Sequence, residues 1–324
     1  MSILITGGAG YIGSQLSYVL TDNNFKHVVV DDISTGFKNL VNPDANFIKI
    51  NFANKIKLKK ILKKNKIKCV MHLAASTLVP ESMKEYEKYY KNNVLNLISL
   101  LESCRDAKVK YFIFSSTCSV FEEGQPKVDE NSIKNANNIY GKTKLYGEEI
   151  IKYLSKKYNF QYSILRYFNV IGADKDARVG AIRDSGHLFM NIINSIFNKS
   201  YKVNIYGNKF NTKDGTGVRD FIDVEDICNI HLLSYKKMLI SKKSFEINCG
   251  IGKGYSVYDI VKAFEKNIQK KFKKIIKKPR PGDVAMITCS NGYLKKTLKY
   301  KFKYNLTDSI NKYLNWQKKI RLNK

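Results

Sequence analysis

Tyr140 and Lys144 stand four residues apart in the run Tyr140-Gly-Lys-Thr-Lys144, a spacing that places both side chains on one face of a helix. A phenol of ordinary pKa, about 10, is a poor base at neutral pH, and an adjacent ammonium favours its ionised form. Upstream, Phe112-Ile-Phe-Ser115-Ser116-Thr117 reads as a strand that ends in hydroxyls. Thr117 to share a hydrogen bond with an alcohol, Tyr140 to take its proton and Lys144 to support the phenolate form a set suited to oxidising that alcohol. Taken alone, Tyr-x-x-x-Lys is a common surface pattern. It gains meaning only beside a group that can accept the hydride.

The run Thr6-Gly7-Gly8-Ala9-Gly10-Tyr11-Ile12-Gly13 supplies the place for such a group. Its glycines give a tight turn, a bare backbone for a pyrophosphate to approach, and a small residue where helix meets strand, with the anion at the helix N-terminus. An acid about 20 residues further on closes the second strand of a dinucleotide-binding unit. Here it is Asp31, followed by Asp32. A carboxylate there accepts hydrogen bonds from a ribose diol and repels a 2′-phosphate, which favours NAD over NADP. The plainer reading, in which both acids merely cap a turn, stands beside it. A P-loop is excluded, because no Gly-Lys-Ser/Thr follows the glycines.

These residues need a scaffold of alternating elements, and the first half of the chain has that pattern. Strands are expected at Ser2 to Thr6, His27 to Asp31, Phe47 to Ile50, Cys69 to Leu73, Tyr111 to Ser115 and Tyr162 to Leu165. Helices are expected at Tyr11 to Thr21, Lys55 to Asn65, Tyr86 to Cys104 and Tyr140 to Tyr158. Such spacing means right-handed βαβ units, a Rossmann-type doubly wound parallel sheet with helices on both faces. After about Gly172 the regularity weakens. Turn signals crowd at Asn208 to Gly217, a helix is expected at Val257 to Ile268, and a Pro-Arg-Pro-Gly break falls at Pro279 to Gly282. We therefore expect an α/β protein with residues 1–170 binding the dinucleotide and 171–324 forming a smaller substrate-binding domain, with some exchange of strands or helices between them.

At 324 residues the chain can bury about three quarters of its unfolded surface without metal or disulfide support. The six cysteines are scattered with no two-residue spacing or nearby histidine, so no zinc site is expected and a reducing cytoplasm is the natural compartment. The N-terminal apolar run is too short for a signal peptide, and no stretch approaches the roughly 18 apolar residues of a membrane span. A formal charge of +29 invites a polyanion partner. Seven arginines against fifty lysines argue otherwise, since nucleic-acid readers use the planar fork of Arg. The Lys-rich stretch Lys55 to Lys68 reads as a solvated helix face above an apolar stripe.

The Gly loop, Asp31, Asn92-Asn93-Val94, Ser115-Ser116-Thr117, Tyr140 with Lys144, and Leu165-Arg-Tyr-Phe-Asn169 together resemble the extended short-chain dehydrogenase/reductases. Tyr206-Gly207, Asp214-Gly-Thr-Gly-Val-Arg219-Asp-Phe-Ile and Pro279-Arg280-Pro-Gly-Asp283 resemble the UDP-glucose 4-epimerase group within that family. The resemblance covers nearly the whole chain. It implies tightly bound NAD, a UDP-sugar substrate, no metal, and a homodimer joined through the helices at Tyr86 to Cys104 and Tyr140 to Tyr158. The implied reaction interconverts UDP-galactose and UDP-glucose: the C4 alcohol is oxidised, the 4-keto sugar turns about its diphosphate, and the hydride returns to the other face.

Carried over by motif, NAD would meet Gly7, Gly10, Tyr11, Ile12, Gly13, Asp31, Asp32, Ser34, Thr35, Gly36, Asn51, Phe52, Leu73, Ala74, Ala75, Thr77, Asn92 and Phe168, together with Tyr140 and Lys144. The UDP-sugar would meet Thr117, Asn169, His187, Leu188, Asn204, Tyr206, Arg219, Arg280 and Asp283, the arginines facing the diphosphate through charge-assisted bonds and Tyr206 lying near the uracil.

Several positions depart from the family pattern. Asn51 stands where an Asp usually reaches the adenine amino group, and Asp32 where Asn is usual. Phe121-Glu122 replaces a Tyr-Gly, and Gly186-His187-Leu188 keeps part of the UDP-facing segment. Ile287, at a position that varies with tolerance of N-acetylated sugars, is of middle size and settles nothing. Cys118 lacks the acid that a 4,6-dehydratase needs directly after the Thr to expel water. Epimerases of N-acetylated or uronic-acid UDP-sugars remain open, as does a non-catalytic NAD-sensing or RNA-binding relative. That last class usually loses the Tyr or Lys kept here.

Overall fold

The computed structural model describes residues 2–182, 186–280 and 282–322. Arg183, and Pro281 within the Pro-Arg-Pro-Gly break, lie outside the described residues. The chain opens with β1 (Ser2–Thr6), α1 (Tyr11–Asp22), β2 (His27–Asp31), β3 (Asn46–Lys49), α2 (Lys55–Lys64) and β4 (Ile67–His72). A short α3 (Val79–Ser82) precedes α4 (Tyr86–Tyr90), which passes through a π turn at Lys91–Leu95 into α5 (Asn96–Asp106). Next come β5 (Tyr111–Thr117), β6 (Lys127–Val128), α6 (Ile139–Tyr158), β7 (Gln161–Tyr167) and β8 (Asn169–Ile171). Then follow α7 (Leu188–Phe197), β9 (Lys202–Tyr206), β10 (Val218–Asp223), α8 (Val224–Ser241), β11 (Phe245–Cys249) and β12 (Gly254–Ser256). The chain ends with α9 (Val257–Ile268), β13 (Lys273–Lys277), β14 (Met286–Cys289), α10 (Gly292–Leu298) and α11 (Leu306–Leu322).

Seven parallel strands form the main sheet in the order β3-β2-β1-β4-β5-β7-β11. The central runs, such as Ile-Leu-Ile in β1 and Val-Val-Val in β2, are buried on both faces, as a parallel sheet covered by helices requires. One face packs on α1, α8 and α10, with Ile3, Ile5, Leu16, Ile227 and Leu294 in its core. The other packs on α2, α5 and α6 through Leu4, Leu58, Leu97 and Ile151. Thr6 pairs with Val30 on one side and His72 on the other, and Thr117 with Tyr167, so the carboxyl ends of the strands share one edge. In sheets of this topology ligands bind outside that edge.

Two findings differ from the sequence pattern. The single helix expected from Tyr86 to Cys104 is interrupted by the π turn, which carries Asn92 and Asn93. In the second half, where the sequence pattern weakens, α8 is an 18-residue helix whose neighbour β11, the seventh strand, completes the main sheet on β7. Ile227, Ile230, Ser234, Tyr235 and Met238 are all buried. A helix covered nearly all round has no polar face to give it a period.

A second sheet, β12-β10-β14-β6 with β8 beside β10, and the pair β13-β9 lie in the other lobe around a core from α7, α9 and α11. The turn-rich stretch is a tight loop in which the Phe210 amide donates to Gly215 and the Thr212 hydroxyl to Thr216. Among the described residues no helix is long and apolar enough to cross a membrane.

Candidate active site

Gly7 directly follows β1 at φ +76°, and a Cβ there would lie 2.6 Å from the Ala74 amide nitrogen. The glycine loop is thereby packed directly against the Leu73-Ala74-Ala75 turn that leaves β4. At Gly13 a Cβ would fall 2.1 Å from the Gly7 carbonyl oxygen, so the first turn of α1 closes on the loop. The N-terminus of α1 has neither a side-chain cap nor an acid in its first turn. Its leading amides are thus an unneutralised anion site, which fits a dinucleotide pyrophosphate. The Tyr11 hydroxyl points elsewhere, donating to the Gly172 carbonyl at 2.7 Å, and Ile12 packs into the core. Their share in an anion site is the backbone's.

Asp31 accepts from the Ala9 amide (3.0 Å) and the Ile33 amide (2.7 Å). Burial raises this carboxyl above the usual range, against the pull of those amides. Asp31 therefore does cap the turn, and its remaining lone pairs are those that could receive a ribose diol. The next segment folds back: the Phe37 amide donates to Ala9, and Gly36 leaves no room for a Cβ there. Ser34 donates to Asp32 from both its amide and its hydroxyl, and Thr35 is exposed. The two departures Asp32 and Asn51 prove to be one feature, since the Asn51 amide nitrogen donates to Asp32 at 2.8 Å. The Asn51 carbonyl accepts from the Ala53 amide, with one lone pair over. Phe52 meets His72 edge-on at 5.0 Å.

The reacting set is assembled by the π turn. Asn93, buried there, accepts from the Ser76 amide (2.9 Å) and donates to the Ser76 carbonyl and to the Thr143 hydroxyl (3.1 Å). Thr143 in turn donates to the Tyr140 carbonyl. Asn92 donates to the Ser76 hydroxyl. One pair of asparagines thus ties the β4 loop with Thr77 to the start of α6. The Tyr140 amide donates to Ser82 of α3, and Asn138 caps α6 by accepting from Gly141. Tyr140 is half-buried; burial pushes its phenol well up, while a hydrogen bond with Thr117 pulls it down. In this state the phenol is an acid, and it needs a cation beside it to act as a base. Lys144 is buried, donates to the Ser115 carbonyl at 2.8 Å and lies 4.8 Å from the centre of the Phe114 ring. Burial pulls its ammonium down to about 7, opposed by the charge of Glu148.

The other wall brings Arg219, Arg280 and Asp283 together. Arg219 of β10 donates to Val218 (2.9 Å) and faces Asp283 at 3.9 Å. Burial lowers its pKa, with Asp283 opposing. The Asp283 amide donates to Arg280. The Arg280 guanidinium lies 4.0 Å over the Tyr206 ring and donates to Gly186 at 2.9 Å. Asn204 and Tyr206 alternate along β9 and share a face. His187 is the exposed N-cap residue of α7, Leu188 its first residue. Asn169 pairs with Phe221 beside buried Phe168. Ile287 pairs with Arg219, and Cys118, next to Thr117, feels the Arg219 charge. A Cβ added at Gly282 would lie 3.8 Å from Val79 of α3, the helix whose Ser82 accepts from the Tyr140 amide.

Sequence reading passed over Ser76, Ser82, Thr143, His72, Glu148 and Arg166, whose roles depend on distant partners. An Asn pair inside an expected helix was the one available signal for the π turn. His72 and His231 are fully buried; burial holds His72 well below the usual range and pulls His231 down to about 3. Below pH 6.5, the ordinary histidine value, the unfolded chain takes up protons that the native chain refuses, so each histidine removes stability as pH falls. The expected slope approaches about 1.4 kcal/mol per pH unit for each. Asp223, raised by burial, acts in the opposite sense, so the check compares urea midpoints of wild type and His231→Gln at pH 7.5 and 5.5. The variant should lose less on acidification; equal losses would refute the assignment.

The model of the NAD dependent epimerase/dehydratase family matches residues 3–250. A UDP-glucose 4-epimerase of Lactobacillus helveticus is 37% identical over 314 residues, 96% of this chain and 94% of that protein. The structure superposes with TM-score 0.95 on the Stenotrophomonas maltophila UDP-glucose-4-epimerase with bound NAD and formylated UDP-arabinopyranose, at 28% identity and full coverage of both chains. The UDP-glucose 4-epimerase of Bifidobacterium longum, in complex with NAD+ and UDP, gives TM-score 0.92 at 28% identity over 98% of each chain.

Proposed function

The chain belongs to the NAD dependent epimerase/dehydratase family, and from that premise we propose that it interconverts UDP-galactose and UDP-glucose by inversion at sugar C4. The observation that carries the reading is that Thr117, Tyr140 and Lys144 gather at the strand ends beside Cys118, which feels the charge of Arg219, while Arg219 and Arg280 cluster with Asp283. NAD, when bound, supplies the acceptor that takes the C4 hydride and gives it back. The residues to hold it are the amides at the start of α1, Asp31 and the Leu73 to Thr77 turn.

Thr117 shares the hydrogen bond of the substrate C4 hydroxyl, and Tyr140 takes its proton and later returns it. Lys144 keeps the phenolate accessible from beneath. Arg219 and Arg280 hold the diphosphate by charge-assisted bonds, which retains the 4-keto sugar while its ring turns. Asn169, Leu188, Asn204 and Tyr206 complete the nucleotide wall. Residues 1–170 and 171–324 serve as the two lobes, exchanging β6 and β11. Met83, Tyr86, Leu95, Tyr146 and Tyr153 are exposed on α4, α5 and α6 or beside them, and support pairing of two copies through those helices.

Purified protein with UDP-galactose should give UDP-glucose without net consumption of NAD, in a panel that includes UDP-N-acetylglucosamine and UDP-glucuronate. Absence of conversion by protein that still binds UDP would overturn the reading. Sedimentation of the same preparation should give the mass of a dimer, a monomer being the contrary result.

A further inference from the structure

Tyr140, Lys144, Glu148 and Lys152 follow one another at four-residue intervals along α6, so phenol, ammonium, carboxylate and ammonium form one stripe. Glu148 is fully buried. One of its oxygens accepts from the Ser116 hydroxyl (2.5 Å) and Arg166 Nε (2.9 Å), the other from Arg166 Nη2 (2.7 Å). Arg166, itself without exposed surface, also pairs with Glu246 of β11, which Lys152 reaches at 2.5 Å. Ser116, Arg166 and Asn248 are register partners on adjacent strands, so the sheet itself carries this bidentate clamp beneath the catalytic helix.

Lys144 is otherwise poorly compensated. From β5 it meets the Ser115 carbonyl and the Phe114 ring. From β4 comes His72, which feels the Lys144 charge and is buried with Nδ1 2.7 Å from the Thr6 hydroxyl. The π turn offers Asn93, which is neutral. From β7 and β11 come Arg166 and Glu246, and from α6 itself Tyr140, Glu148 and Lys152. The carboxylate whose charge acts on Lys144 is Glu148, one helical turn along the same face of α6, and a buried ammonium without a counter-charge gives up its proton.

We propose that Glu148, fixed by Ser116 and Arg166, is the positioning residue that keeps Lys144 charged and so keeps Tyr140 usable as the base. The proposal rests on the roles given above to Tyr140 and Lys144. It gives the clamp a purpose beyond packing: Glu148→Gln preserves shape and can still accept from Ser116 and Arg166 Nε, but it removes the buried negative charge and leaves Lys144, Arg166 and Lys152 with Glu246 and the more distant Glu130 as counter-charges. Lys144 then loses its proton in preference to Tyr140. The form with a neutral lysine and an intact phenol, useless as a base, takes over.

The test is turnover of UDP-galactose by the NAD-loaded protein from pH 6 to 10. In Glu148→Gln, kcat at pH 8 should fall about tenfold and the alkaline limb should move to lower pH by about one unit, with KM changed less than about twofold. Ser116→Ala, which weakens the clamp without a buried charge change, should move the limb the same way by about 0.3 unit and keeps the question answerable if the Gln variant does not fold. A wild-type pH profile in either folded variant overturns the proposal. So does a uniform loss with KM rising in step, the signature of a structural role. Failure of the wild type itself to convert the sugar would instead strike the reaction assignment.

Discussion

Replacing Tyr140 by Phe is expected to lower kcat by roughly 10²–10⁴-fold, the usual worth of a positioned acid–base group, while the protein retains its NAD and its affinity for UDP. The ring stays in place, because the Tyr140 amide is held by Ser82 and its carbonyl by Thr143. Only the hydroxyl and its bond with Thr117 disappear, a stability change of about 1 kcal/mol. Nucleotide released on denaturation, UDP binding by calorimetry and turnover of UDP-galactose separate these quantities. Retention of more than a tenth of the activity would show that another group takes the proton.

The second large effect concerns Gly13→Ala. The added Cβ would sit 2.1 Å from the Gly7 carbonyl oxygen and 2.8 Å from Gly8 Cα, both backbone atoms with no side chain to swing aside. Relief requires the helix to part from the loop, at a cost of about 3 kcal/mol, the upper end of overpacking penalties. That separation also spoils the anion site, so the variant should purify without NAD and melt several degrees lower. Gly10→Ala is the control: its nearest clash is the Gly7 oxygen at 3.3 Å, so the apo fold should persist while NAD retention suffers. Full nucleotide content in Gly13→Ala would refute this account of the loop.

How much of this was legible in the sequence follows from range. The glycine loop, Asp31 and the Tyr140/Lys144 pair are local patterns whose geometry is set within one βα unit, and the structure places them at the same strand ends. Asn93 carries no local signature of its task, because its partners Ser76 and Thr143 are 17 and 50 residues away. The same holds for Glu148 and Arg166, which carry no local sign of their pairing until α6 and β7 bring them face to face in the interior. In the sequence Asp32 and Asn51 stand as two separate departures from the family pattern. Bonded to each other, they exchange acid and amide across the ends of β2 and β3 while keeping one hydrogen bond. In the second half of the chain, α8 hid because burial on nearly all sides erases the polar face that periodicity detects.

The seventh strand has a consequence for synthesis on the ribosome. β7 ends at Tyr167, but the partner that covers its outer edge begins at Phe245. At roughly 5–20 residues per second, that interval leaves the edge of β7 unpaired for about 4–16 s after the first six strands have emerged. An open strand edge is a template for pairing with any other chain. The half of the molecule that carries the glycine loop is thus the half exposed to aggregation during translation, until residues 245–249 arrive to close it.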